Sequence, residues 1–212
     1  MSEQYVLITG GCGFIGTNLA DRLLSSGERV LIFDNLSRPG VQRNLDWLRD
    51  KHGPALQVKI ADVRDASAVR DVVRRASHVF HFAAQVAVTT SLDTPVDDFE
   101  INARGTLNVL EAIRNSIQKP PIFFTSTNKV YGGLDDVRLD ETDMRYRPRM
   151  PRIADHGISE KRRLDFHSPY GCSKGTADQY VTDYARSFGM RTVVFRMSCI
   201  YGPHQYGTED QG

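Results

Sequence analysis

A short apolar run, Tyr5 to Thr9, breaks directly into Gly10-Gly11-Cys12-Gly13-Phe14-Ile15-Gly16 and then continues as an amphipathic pattern to about Ser25. No other stretch narrows the fold as much, because strand, glycine turn and helix in that order form the opening unit of an α/β sheet. Gly10 permits the tight turn, Gly13 lets a pyrophosphate approach the backbone, and Gly16 lets the helix pack close to the strand. Free amides and the dipole at the helix start then favour phosphate charge. A plain flexible turn is the alternative, so the next strand carries weight.

That strand, Arg29 to Phe33, ends at Asp34. The offset is close to the roughly 20 residues at which an acid hydrogen-bonds an adenosine ribose. A carboxylate there repels a 2′-phosphate and favours NAD over NADP. Arg38 argues the other way, as a partner for such a phosphate, but Asp34 stands at the strand end and counts for more. The pattern repeats with a helix over Val41 to Lys51 (Trp47 and Leu48 on its apolar side) and a strand over Leu56 to Ile60. A helix over Asp65 to Arg75 follows, acidic at its start and basic at its end, and then a strand over Val79 to Phe82. Asp62 can accept from an adenine amino group or cap the next helix. After the fourth strand, the small Ala83 and Ala84 would let a cofactor lie against the backbone.

A long helix is expected over Thr94 to Asn115, with Pro95 tolerated in its first turn. Asn102, with Gly105 and Thr106 one turn on, either bonds a neighbouring loop or meets a ligand. Pro120 to Phe124 reads as a fifth strand running into Thr125-Ser126-Thr127-Asn128-Lys129, and Arg191 to Phe195 as a sixth leading to Arg196 and Pro203. Hydroxyls at the end of the fifth strand, Ser126 or Thr127, can hold a substrate hydroxyl or simply make a turn. Strands alternating with helices give the α/β class: a doubly wound parallel sheet with helices on both faces and ligands at the carboxyl ends of its strands.

Tyr170 and Lys174 stand four apart in SPYGCSKGTADQY, at the start of a helical pattern through Phe188. Four-residue spacing puts them on one helix face. An adjacent cation lowers a phenol from its ordinary pKa of about 10, which would make Tyr170 a proton acceptor. Residues 132–167 instead lose periodicity and are rich in proline and charge, from Arg145, Arg147 and Arg149 to Arg163. Either this insertion meets a nucleotide phosphate or it is a solvated surface, and balancing acids such as Asp135, Asp140 and Glu160 favour the second.

A net charge of +1 argues against a dedicated nucleic-acid or membrane-surface binder. Three cysteines (Cys12, Cys172, Cys199) at unpaired spacing suggest neither a disulfide framework nor a metal site, and burial as small apolar groups is their expected role. The start, MSEQYVLITG, does not read as a signal peptide. A cytoplasmic protein is expected.

Together these motifs resemble the extended short-chain dehydrogenase/reductases that act on nucleotide sugars. Within that group, AAQVAVTTSLDTPVDDFEINARGTLNVLEAIR, STNKVYGG, LDFHSPYGCSKGTADQYVTDYAR and TVVFRMSCIYG are most similar to the CDP-paratose 2-epimerases, as is the long insertion before Tyr170. The resemblance implies a Rossmann-type NAD-binding domain over residues 1–196, the start of a smaller substrate lobe over 197–212, and a homodimer built from the two long helices. It implies that Tyr170 is the base, that Lys174 holds the nicotinamide ribose and lowers the phenol pKa, and that Thr127 orients the reacting hydroxyl. The cofactor would meet Gly10, Gly13, Phe14, Ile15, Gly16, Asp34, Asn35, Ser37, Arg38, Asp62, Val63, Phe82, Ala83, Ala84 and Asn102 as well as Tyr170 and Lys174. The nucleotide sugar would meet Gln85, Thr127, Asn128, Lys129 and Cys199. The implied reaction is epimerisation through a transient ketone, at sugar carbon 2. Two departures bear on the choice: nucleotide-sugar dehydratases follow the matching threonine with Asp-Glu, where Asn128-Lys129 stand here, and UDP-galactose 4-epimerases carry asparagine where Cys199 stands. A UDP-sugar 4-epimerase, a plain dehydrogenase and a non-catalytic NAD-binding fragment are the alternatives.

Overall fold

The structure, a computed structural model, describes residues 4–207. The β-branched runs form six parallel strands: β1 (Tyr5–Thr9), β2 (Val30–Asp34), β3 (Leu56–Ile60), β4 (Ala76–His81), β5 (Ile122–Thr127) and, last in the chain, β8 (Thr192–Met197). Their order is β3-β2-β1-β4-β5-β8, so the chain reverses its direction of travel across the sheet between β1 and β4. That order is the Rossmann arrangement, with its ligand crevice at the reversal.

Helices α1 (Phe14–Ser25) and α2 (Val41–His52) cover β1 and β2 on one face, where Val6, Ile8, Val30 and Ile32 meet Ala20, Leu24, Leu45 and Leu48. On the other face α3 (Ala66–Val73), α6 (Gly105–Arg114) and α8 (Ser168–Phe188) enclose a core of Leu7, Phe33, Val79, Ile122 and Phe124. Among the described residues the first face is left partly bare beyond α1 and α2: Phe80 and Phe123 stack with centroids 4.7 Å apart, and Val193 and Phe195 are 39% and 48% exposed.

Several expected bounds shift. β4 begins at Ala76 because Tyr5 on β1 extends the pairing, and β5 begins at Ile122 because Pro120 and Pro121 have no amide to give. The expected helix from Thr94 is interrupted: α5 (Pro95–Phe99) passes into a π turn, Glu100–Arg104, before α6. A further short helix, α4 (Val88–Asp93), precedes it. The insertion is not structureless: β6 (Leu139–Glu141) pairs antiparallel with β7 (Tyr146–Pro148), and α7 (Pro151–His156) follows. Its arginines pair with its own acids, Arg149 with Asp140 and Arg162 with Asp136. Of the stretch 197–212, residues 202–206 pack back on α1 and α2, while 208–212 lie outside the described residues. No described helix is long and apolar enough to cross a membrane.

One ion pair fixes α8 to the sheet. Asp178 is fully buried, and Arg196 of β8 donates to both its oxygens, from Nε at 2.8 Å and Nη2 at 2.9 Å. Burial works against the Asp178 charge, and the hydrogen bonds and charge of Arg196 together with its polar neighbours outweigh it, leaving its pKa below the ordinary value. Asp178→Ala strands the guanidinium and should cost about 3–5 kcal/mol in a urea unfolding experiment. A change below about 1 kcal/mol would mean that the pair is dispensable.

Candidate active site

At the reversal point lies a cleft of about 810 Å³, lined by the ends of β1, β2, β4, β5 and β8 and by the start of α1. Gly10 takes φ +67°, and a Cβ there would stand 2.6 Å from the Ala83 amide nitrogen. A Cβ on Gly16 would run into the Gly10 carbonyl oxygen, whereas one on Gly13 would meet only that oxygen, at 3.2 Å. The first and third glycines thus serve close backbone packing, and the second has the single near neighbour. No side chain caps the first turn of α1 behind Gly13, so its amides are available to an anion.

Asp34 is held by the backbone: Oδ1 accepts from the Leu36 amide at 2.9 Å and Oδ2 from the Cys12 amide at 3.0 Å. Burial raises its pKa, against the pull of those two amides and of the Arg38 charge. Asp62 is not the cap of α3; Asp65 is, accepting from Ser67 and Ala68. Asp62 accepts instead from Arg64 and from Asn35 Nδ2 at 2.8 Å, and the Arg64 bonds are the main reason its pKa falls to about 2.

Every residue assigned from the sequence to cofactor or substrate lines this cleft except Asn102. Asn102 is buried and serves as a strut: Oδ1 accepts from the Gln85 amide at 2.9 Å, while Nδ2 donates to the Gln85 carbonyl at 3.1 Å and to Ser173 Oγ at 3.0 Å. Of its two sequence readings, the loop contact is the one the structure shows. Beside it, the Thr106 hydroxyl donates to the Asn102 carbonyl at 2.6 Å and so accepts from His81 Nε2 at 3.0 Å. That leaves Nδ1 of a neutral His81 to accept from Thr9 Oγ1 at 2.6 Å. Burial, then the Lys174 charge, pushes the His81 pKa down to about 3, in keeping with this tautomer.

Tyr170 and Lys174 share one face of α8 and both line the cleft. The phenol is not lowered, contrary to the sequence expectation. Burial raises it, a hydrogen bond with Thr127 pulls it down, and the Asp98 charge raises it further. The physical reason is that Lys174 directs Nζ to the Thr125 carbonyl at 2.7 Å and lies over the Phe124 ring, 4.4 Å from its centroid. Burial in turn brings Lys174 down to about 8, with Asp178 and Asp98 holding it up. Of the two hydroxyl candidates on β5, Thr127 is the one whose influence lowers the phenol pKa. A base, a hydroxyl partner and a cation therefore meet at one wall, facing the glycine turn across the cleft.

The sequence reading missed several contributors. Ser91 of α4 accepts the Tyr170 amide at 3.1 Å and so fixes the start of α8. Six residues are too few for α4 to show a period. His204, Gln205 and Tyr206 also line the cleft. Asn44 Nδ2 holds the His204 carbonyl at 3.0 Å, Asn18 Nδ2 holds that of Pro203 at 2.9 Å, and the His204 ring lies 4.1 Å from Trp47. The amphipathic neighbours of Asn18 and Asn44 gave no sign of this strap.

The sequence profile of the NAD dependent epimerase/dehydratase family matches residues 6–212. Among curated relatives, a CDP-paratose 2-epimerase of Salmonella typhi is 49% identical over 98% of this chain and 60% of its own. A putative UDP-glucose 4-epimerase of Methanocaldococcus jannaschii is 32% identical over 94% of this chain and 57% of its own. A solved UDP-glucose 4-epimerase of Thermus thermophilus, in complex with NAD, superposes with a TM-score of 0.74 at 32% identity, over 96% of this chain and 58% of that one. The chain thus spans well under two thirds of the length of each.

Proposed function

Because the chain belongs to the NAD dependent epimerase/dehydratase family, we propose that it carries the catalytic half of an NAD-dependent nucleotide-sugar epimerase acting at carbon 2 of a CDP-hexose such as CDP-paratose. The observation that carries this reading is the convergence of Tyr170, Thr127 and Lys174 on the cleft that the glycine turn opens. The residues present suit NAD: an uncapped helix start that opens on the cleft-lining, side-chain-free Gly13 for the diphosphate, and a backbone-anchored carboxylate, Asp34, for the ribose. A volume of about 810 Å³ is also within the range of cofactor clefts. NAD, when bound, supplies the hydride acceptor that makes the reaction possible.

The chain's own residues handle the proton. Tyr170 Oη, as the phenolate, takes it from the substrate hydroxyl as the ketone forms, becoming the phenol, and returns it once the opposite face has been reduced. Thr127 holds that hydroxyl; burial raises the phenol, and the Lys174 ammonium, one helical turn away, is the group that would favour the phenolate from which the transfer starts. Asn128 and Lys129 follow Thr127 into the cleft, so no carboxylate stands there to drive elimination of water, which favours epimerisation over dehydration. Gln85 and Cys199 complete the sugar side.

In this reading residues 1–196 form the NAD domain and 197–212 open the substrate lobe. The enzyme is a cytoplasmic homodimer, for which exposed Val96 and Phe99 near α5 and Tyr180 and Phe188 on α8 offer the apolar surface.

The test is proton NMR of the protein with NAD and CDP-paratose, CDP-glucose or UDP-galactose, with no reductant added. Inversion at carbon 2 of a CDP-sugar without accumulating NADH is expected. Turnover of UDP-galactose alone would move the reaction to carbon 4. NAD binding without any sugar turnover would make the chain a cofactor-binding fragment.

A further inference from the structure

We propose that Asp98 is a positioning residue of this site: its buried carboxylate balances the Lys174 charge and ties the start of α8, the π turn and the loop after β4 into one unit beneath the cleft. The proposal rests on the NAD-dependent reading above.

Asp98 lies in α5 and is 0% exposed. A carboxylate so placed persists only with donors or a cation to satisfy it. The Ser173 hydroxyl donates to Oδ2, while Gln85 Nε2 at 2.9 Å and Asn102 Nδ2 at 3.1 Å donate to Oδ1. Ser173 immediately precedes Lys174, and Gln85 follows the small Ala83 and Ala84. One carboxylate therefore sets the position of both walls of the cleft.

The charge balance follows from the groups around Lys174. Asp178, on its own helix, is already held through both oxygens by Arg196 of β8. His81, from β4, is neutral, and burial raises the Tyr170 phenol on α8. Asp98, from α5, is the second carboxylate acting on Lys174, after Asp178, and it supports the protonated form against burial. No ion pair to another cation engages Asp98 among the described residues.

Asp98→Asn separates charge from shape. The Ser173 hydroxyl has a second acceptor, the Tyr170 carbonyl at 3.2 Å, and can turn to it. The one carbonyl oxygen left by the substitution then keeps Gln85 and Asn102. Ser173→Ala is the complementary variant, which removes a strut and keeps the charge.

NAD affinity is to be measured from about pH 6 to pH 10 by calorimetry. For the unaltered chain, affinity should fall as pH rises through about 8, where Lys174 loses its proton. Asp98→Asn should move that limb to lower pH, and a shift of about one unit gives about a fivefold loss of affinity near pH 8 that vanishes near pH 6. Ser173→Ala should leave the limb in place. Superimposable profiles for the unaltered chain and Asp98→Asn would overturn the proposal.

A double-mutant cycle with Lys174→Met, read by thermal unfolding without cofactor, is independent of the NAD reading. The two substitutions together should cost less than their sum, and additivity would overturn the pairing. Should Asp98→Asn fail to fold alone, folding restored by Lys174→Met supports the pairing, and failure of both variants overturns it. If the unaltered chain binds no NAD, the functional reading fails and this cycle still decides the role of Asp98.

Discussion

Tyr170→Phe is expected to lower turnover by about 10²–10⁴-fold and to leave NAD affinity unchanged. The substitution removes one oxygen from a side chain that is 9% exposed and keeps the ring that fills its place. The Tyr170 amide stays bonded to Ser91, so α8 keeps its start, and Lys174 keeps its bond to the Thr125 carbonyl. The loss should thus appear in kcat, with the dissociation constant for NAD as the internal control. Retained turnover would remove Tyr170 from the proton path.

Gly16→Ala is expected to abolish NAD binding and to lower stability by about 1–3 kcal/mol, the usual range for forcing a methyl group into a filled site. The added Cβ would collide with the Gly10 carbonyl oxygen and stand 2.6 Å from the Gly11 Cα, both of them backbone atoms with no rotamer to change. Relief requires α1 to move away from β1, which displaces the amides at its start. Gly27→Ala is the matched control: at φ +87° with nothing within 4 Å, it should show only the backbone penalty of roughly 1–2 kcal/mol and bind NAD normally. Measurement of both by chemical denaturation and by calorimetry separates the collision from the general cost of replacing glycine.

The two predictions draw on information of different kinds in the sequence. The glycine turn, Asp34 and the Tyr170 to Lys174 spacing were legible because a local period or spacing fixes their geometry. The strands were legible as β-branched runs, and only their ends moved, as at Ile122, where prolines and the partner strand decide. The state of the phenol was not legible: four-residue spacing places the cation, but burial and the Thr125 carbonyl decide what that cation does. Asn102 shows the same limit, since its partners Gln85 and Ser173 lie 17 and 71 residues away. The π turn that presents Asn102 and the hairpin in the charged insertion are also set by contacts rather than by any period in the residues themselves.

The bare aromatic face over β4, β5 and β8 has a consequence for solubility. Phe80, Phe123, Val193 and Phe195 form an apolar patch on a chain whose formal net charge is +1 and whose pI is about 7.8. Near neutral pH little repulsion keeps two such surfaces apart. Sulfate, which strengthens apolar association, should precipitate this chain at lower concentration than chloride does. Its solubility minimum should fall near that pI, and charge introduced at Val193 or Phe195 should raise its solubility without touching the cleft.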